Sequence, residues 1–143
     1  MICANTDEQA LDTNLAELKI TLGTGISNGL GAGGKPEVGR DAALDDLERI
    51  KTLLEGSDMV FVAAGMGGGT GTGAAPIVAR AAKEIGALTV AVVTKPLELE
   101  MRDQIADVGL KELTDEVDSL IAIPNQKLLE VLGREHSLSL IHI

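Results

Sequence analysis

The stretch "AAGMGGGTGTGAAP", Ala63 to Pro76, poses the first physical question of this chain. It lies between the apolar run "MVFVA" and a segment with helical spacing. Glycine has no side chain to pack and costs about 0.5–1 kcal/mol relative to alanine in a regular element. Bare backbone between a strand and a helix has a use when the main chain itself must meet a ligand. A helix N-terminus exposes unpaired N–H groups and about half a positive charge. Successive glycine N–H groups form a concave nest for an anion. Gly67, Gly68, Gly69, Gly71 and Gly73 are therefore expected to wrap a phosphate, with the Thr70 and Thr72 hydroxyls adding hydrogen bonds. A flexible linker is the other reading, but linkers favour serine and lack a buried strand and a helix on their flanks.

Charge makes backbone donors useful here. Twelve basic against 22 acidic residues give a formal net charge of −10. Such a surface repels a nucleic-acid backbone, whose recognition runs on Lys and Arg. One Phe, no Tyr and no Trp leave no aromatic platform for stacking bases. The single cysteine, Cys3, excludes an internal disulfide and a cysteine-based zinc cluster; it reads as a small strand residue. No apolar stretch approaches the ~20 residues that cross a bilayer. The N-terminus lacks the pattern of a secretory signal. The expectation is a soluble cytoplasmic chain with neither nucleic-acid partners nor membrane insertion.

Apolar runs rich in β-branched residues predict strands over 58–64, 87–94 and 117–123, with a weaker one over 18–23. They lack strict alternation, as expected of parallel strands covered on both faces. In "PEVGRDAALDDLERIKTLLEG" the residues Ala43, Leu47, Ile50 and Leu54 share a face, predicting one amphipathic helix. On its other face Asp45, Asp46 and Glu48 read as solvated, with Asp45 pairing Arg49. "AAPIVARAAKEIG" predicts another helix with Pro76 in its first turn. "RDQIADVGLKEL" and "NQKLLEVLG" predict two more, the last capped by Asn125. Alternating strands and helices predict an α/β fold, a Rossmann-like parallel sheet flanked by helices. Ligands bind such sheets beyond the carboxyl ends of the strands, where the glycine loop lies.

Two general phosphate templates fit poorly. "GLGAGGKP" (29–36) matches a P-loop only through Lys35, because Pro36 stands where Ser or Thr should hold magnesium. Gly69, Gly71 and Ala74 fit the dinucleotide pattern G-x-G-x-x-A, but the next strand ends in Thr94 and Lys95 rather than an acid for the ribose.

"GGGTGTG" at 67–73 is similar to the phosphate-loop motif of the tubulin superfamily of GTPases. With "NTDEQAL", "GLGAGGKPEVGRDAA", "TVAVVTKP" and "VDSLIAIPNQKLLEVLGR" in order, the chain up to Arg134 resembles the FtsZ family, the bacterial cell-division branch of that superfamily. The resemblance implies roles residue by residue. Gly67 to Gly73 would cradle phosphates, and Gly31, Ala32, Gly33 and Gly34 would offer donors toward the γ-phosphate. Asn5, Thr6 and Asp7 would lie near the terminal phosphates and Mg2+. Pro96 would shape a ribose loop and Glu100 would meet the ribose. Arg102 aligns with a nucleotide-contacting arginine only through a short gap, since "LELEMR" replaces the family's F-x-F-E-G-x-x-R. A helix-surface arginine and a solvated glutamate are the other readings of Arg102 and Glu100.

The resemblance further implies an incomplete domain. Residues 1–134 would be a partial GTP-binding domain lacking the family's first strand and its glycine loop. Residues 135–143, with His136 and His142, would be a foreign or disordered tail. Catalytic aspartates would lie outside the chain, and the chain alone would be inactive. The implied function is a GTP-binding and GTP-hydrolysing cytoskeletal protein. It would polymerise head to tail into the bacterial division ring at mid-cell, with hydrolysis completed by an acidic loop of the adjacent subunit. Its partners would be copies of itself and other division proteins. A NAD-type oxidoreductase domain and a non-catalytic filament cap are the alternatives.

Overall fold

The computed structural model describes residues 1–97 and 101–132. The chain opens with β1 (Ile2–Asn5), α1 (Glu8–Asp12) and β2 (Leu18–Thr21), followed by three successive helices, α2 (Thr24–Ser27), α3 (Pro36–Asp45) and α4 (Leu47–Leu54). Then follow β3 (Met59–Gly65), α5 (Thr70–Glu84), β4 (Leu88–Lys95), α6 (Asp103–Asp115), β5 (Ser119–Pro124) and α7 (Asn125–Leu132). All pairings between these strands are parallel. The α/β class is as the sequence implies. The sheet, however, is divided: β1 pairs with β2, while β3, β4 and β5 form a second sheet in that order.

Helix α5 holds the halves together because it is apolar on two sides. Ala75, Ala79 and Ala82 pack with Val60 and Val62 of β3, Ala91 and Val93 of β4, and Ala106 and Leu113 of α6. Ala74, Ile77 and Ala81 pack with Ile20 of β2, Leu22 just beyond it, Ala42 and Ala43 of α3, and Ile50 of α4. So many alanines let neighbouring backbones approach closely. Seven residues of β3 alternate between that core and the other face, where Phe61 is 67% exposed. Ile121 of β5 is 51% exposed. Strands expected to be covered on both faces are thus covered on one within the described residues.

Three helix boundaries also differ from expectation. The helix read as continuous from Pro36 breaks at Asp46, whose Oδ2 accepts the Gly23 amide at 2.7 Å. Asp46 is thus a bridge between segments, and Arg49 approaches Asp46 at 3.9 Å instead of Asp45. Helix α5 begins at Thr70, so Pro76 sits inside it rather than in its first turn. Proline has no N–H, which leaves the carbonyl one turn back, at Thr72, without its helical donor. Asn125 is the first residue of α7 rather than a residue preceding it.

Candidate functional site

Strand β3 ends at Gly65, and the chain turns through Met66–Gly69 into α5. The Met66 amide donates to the Thr94 carbonyl at 2.9 Å, so the turn stays tied to the end of β4. Gly67 then adopts φ +105° and donates its amide to Thr72 Oγ1 at 2.8 Å. This is a region that side-chain-bearing residues rarely enter. The Gly73 amide is likewise spent, on the Gly69 carbonyl at 3.1 Å. Between them, the amides of Gly68, Gly69, Thr70, Gly71 and Thr72 have no acceptor among the described residues. The donors available for an anion are therefore these five, at the N-terminus of a fifteen-residue helix.

A second glycine turn meets this one. A β-carbon added to Gly69 would stand 2.8 Å from both Ala32 Cβ and the Lys35 nitrogen. The Lys35 amide donates to the Ala32 carbonyl, and Gly33 and Gly34 have φ values of +59° and +75°. The Gly31 amide is taken by the Thr6 carbonyl at 3.0 Å, leaving Ala32, Gly33 and Gly34 as the unengaged donors of that turn among the described residues.

Thr6 connects the pieces. It is fully buried, and its hydroxyl lies 2.6 Å from that of Thr70. Its carbonyl accepts from both Gly31 and the Ser27 hydroxyl. Asn5 Oδ1 accepts the Asp7 amide at 3.2 Å, and Asp7 Oδ1 caps α1 by accepting the Ala10 amide at 3.1 Å. Asp7 is also bridged to Leu30 across the loop. Asn5, Thr6, Asp7, Gly33, Gly34 and the Gly68–Thr72 amides thus converge at the carboxyl ends of β1 and β3.

On the far side, a β-carbon at Gly67 would lie 3.0 Å from Pro96 Cγ and 3.3 Å from Arg102 Cβ. Arg102 therefore borders the loop at the start of α6, whereas Glu100 lies outside the described residues. The nearby cations Arg40 and Lys95 are engaged, Arg40 with Glu112 and Lys95 with Asp107 at 2.9 Å. The Glu112 carboxylate raises the Arg40 guanidinium above its usual pKa. Among the described residues no three His, Cys, Asp or Glu side chains form a metal cluster. No described helix is long and apolar enough to cross a membrane.

Two features escaped the sequence reading. Asn125 Oδ1, at the carboxyl end of β5, is buried with no hydrogen-bond partner among the described residues. Periodicity reports only a helix start there. The Thr72 hydroxyl oxygen accepts the Gly67 amide, so this side chain also fastens the loop, a role that no local sequence pattern announces.

The model of the Tubulin/FtsZ family, GTPase domain, matches residues 1–133. The cell division protein FtsZ of Pseudomonas aeruginosa is 62% identical over 139 residues, covering 96% of this chain and 35% of that protein. FtsZ of Pseudomonas putida is 61% identical over the same shares. The chain therefore spans about a third of the length of the curated relatives it matches. Among solved structures, an empty FtsZ dimer of M. jannaschii superposes with a TM-score of 0.91 at 48% identity, covering 97% of this chain and 41% of that one. CetZ from Methanosaeta thermophila gives 0.76 at 25% identity, covering 90% and 37%. By both sequence and fold, this chain belongs to the tubulin/FtsZ family, its match to the GTPase-domain model running over residues 1–133.

Proposed function

We propose that this chain is the phosphate-binding portion of a cell-division GTPase. The observation that carries the reading is the set of five unengaged amides from Gly68 to Thr72, aimed from the end of β3 and the start of α5. Polyphosphate chemistry depends on positioning and on neutralising crowded charge. Backbone N–H groups and a helix N-terminus supply both without adding lysines to an acidic protein. The second turn, Ala32 to Gly34, presents further donors across Gly69, so a chain of phosphates rather than a single one suits the space. Family membership favours GTP and GDP over a nicotinamide dinucleotide.

Mg2+ usually takes one or two carboxylates, with phosphates and water completing its octahedron. Asp7 fits that demand: one of its oxygens is spent on Ala10, and the other is left on the Gly31 side of the loop. Asp7 would hold the ion through water or directly, and the ion would neutralise phosphate charge. Thr6 fixes the Asp7 loop to α5 through the Thr70 hydroxyl. Glu100 and Arg102 are proposed to contact the ribose end of the nucleotide.

In this reading Asp7 serves the ion, and an acidic loop of a neighbouring subunit completes hydrolysis, coupling turnover to head-to-tail polymerisation at mid-cell. Calorimetric titration with GTP, GDP and NAD tests the ligand. Binding of GTP and GDP with none of NAD is expected; preference for NAD would overturn the reading. Turnover assayed with and without an intact homologous subunit separates a GTPase from a filament cap. Activity is expected only in the mixture, and steady turnover by the isolated chain would contradict the shared-site scheme.

A further inference from the structure

The lysine of "GLGAGGKP" has no role in the reading above, yet it stands where the two glycine turns touch. The Lys35 backbone packs on Gly69: a β-carbon there would lie 2.8 Å from its nitrogen and 3.0 Å from its oxygen. Lys35 is also the N-cap of α3 and makes no side-chain capping hydrogen bond. Its side chain is exposed and forms no ion pair among the described residues. A cation at the positive end of a helix dipole is in an unfavourable place. In a chain of net charge −10, carboxylate partners are plentiful, and Arg40 and Lys95 have found them. Lys35 has a flexible four-carbon stem and three rotatable donors, which suit a terminal phosphate rather than a fixed planar partner.

We infer that Lys35 is a specificity-determining residue of the phosphate site, adding a cationic contact to the outermost phosphate of a polyphosphate held by Gly68–Thr72. This rests on the phosphate-site reading above. With an anion present, the N-terminus of α3 faces negative charge, and the unfavourable placement of Lys35 becomes favourable. The contact is made by an exposed side chain, so it is worth about fivefold in affinity at low salt and fades as ions screen it. It acts on the far end of the ligand, so it favours a triphosphate over a single phosphate.

The test uses the full chain, with inorganic tripolyphosphate and orthophosphate as probes and backbone amide NMR shifts of Gly68–Thr72 as the readout. Lys35→Gln is expected to weaken tripolyphosphate about fivefold, to flatten the salt dependence by roughly one charge, and to leave orthophosphate unchanged. Lys35→Arg should restore most of the loss, and Lys35→Glu should exceed it. Helix content by circular dichroism should be the same in all, since the side chain is exposed. Equal tripolyphosphate affinity of wild type and Lys35→Gln overturns the role of Lys35 alone. No shift at Gly68–Thr72 in the wild type overturns the phosphate-site reading, and this inference with it.

Discussion

Replacing Gly73 with alanine would place a methyl carbon 2.0 Å from the Pro36 carbonyl oxygen and 2.6 Å from the Arg40 nitrogen. Both are backbone atoms of α3, so no side-chain rotation relieves the clash. Helix α3 must move away from α5, drawing Ala42 and Ala43 off Ala74, Ile77 and Ala81. Overpacking of this kind costs about 1–3 kcal/mol, and a backbone-against-backbone contact belongs at the upper end. Alanine returns up to about 1 kcal/mol through its better helix propensity. The net expectation is a loss of about 2 kcal/mol, or a midpoint lower by roughly 6 °C for a chain this size. With no Trp or Tyr and a single Phe, intrinsic fluorescence reports little, so far-UV circular dichroism is the assay. Gly68→Ala is the control: among the described residues beyond its chain neighbours no atom lies within 4 Å of its added carbon, and its stability should stay within about 0.5 kcal/mol of wild type. A Gly73→Ala chain as stable as wild type, or more so, would refute the close helix contact.

Other substitutions probe individual links. Thr72→Val removes the acceptor of the Gly67 amide in a buried setting and should cost about 1–3 kcal/mol, with faster hydrogen exchange at Gly67; Thr72→Ser should keep that amide protected. Asp46→Ala leaves the Gly23 amide without its acceptor and should cost about 1–2 kcal/mol in urea unfolding, whereas Asp45→Ala, at the end of α3 and outside that bond, should change little. The Arg40–Glu112 pair joins α3 to α6 with both side chains about 40% exposed. A double-mutant cycle of Arg40→Met and Glu112→Gln should therefore give a coupling below about 1 kcal/mol that shrinks with salt.

The sequence carried the parallel α/β pattern because the longer strands and amphipathic helices declare themselves over a short window, whereas α1 and α2, at five and four residues, are too short to show a period. The phosphate loop was legible for the same reason: glycines at a strand end and a helix start have few other uses. The helix break at Asp46 was not legible, since it is enforced by the Gly23 amide, distant in sequence. The position of Pro76 inside α5 was hidden because glycine and threonine mask the first turn of a helix that packing stabilises. The exposed face bearing Phe61 and Ile121 was equally hidden, because an unalternating apolar strand looks the same whether one or both faces are covered. Within the site, composition could not say which amides were already spent. That depends on Thr72 turning back to Gly67 and on Thr6 accepting from Gly31.

The central measurement is a backbone amide NMR titration of the chain with GTP and Mg2+. The account predicts the strongest shifts and new exchange protection at Gly68 to Thr72, weaker changes at Ala32 to Gly34, and little at the engaged amides of Gly67 and Gly73. Unchanged Gly68–Thr72 amides under saturating nucleotide, or shifts confined to another part of the fold, would contradict it.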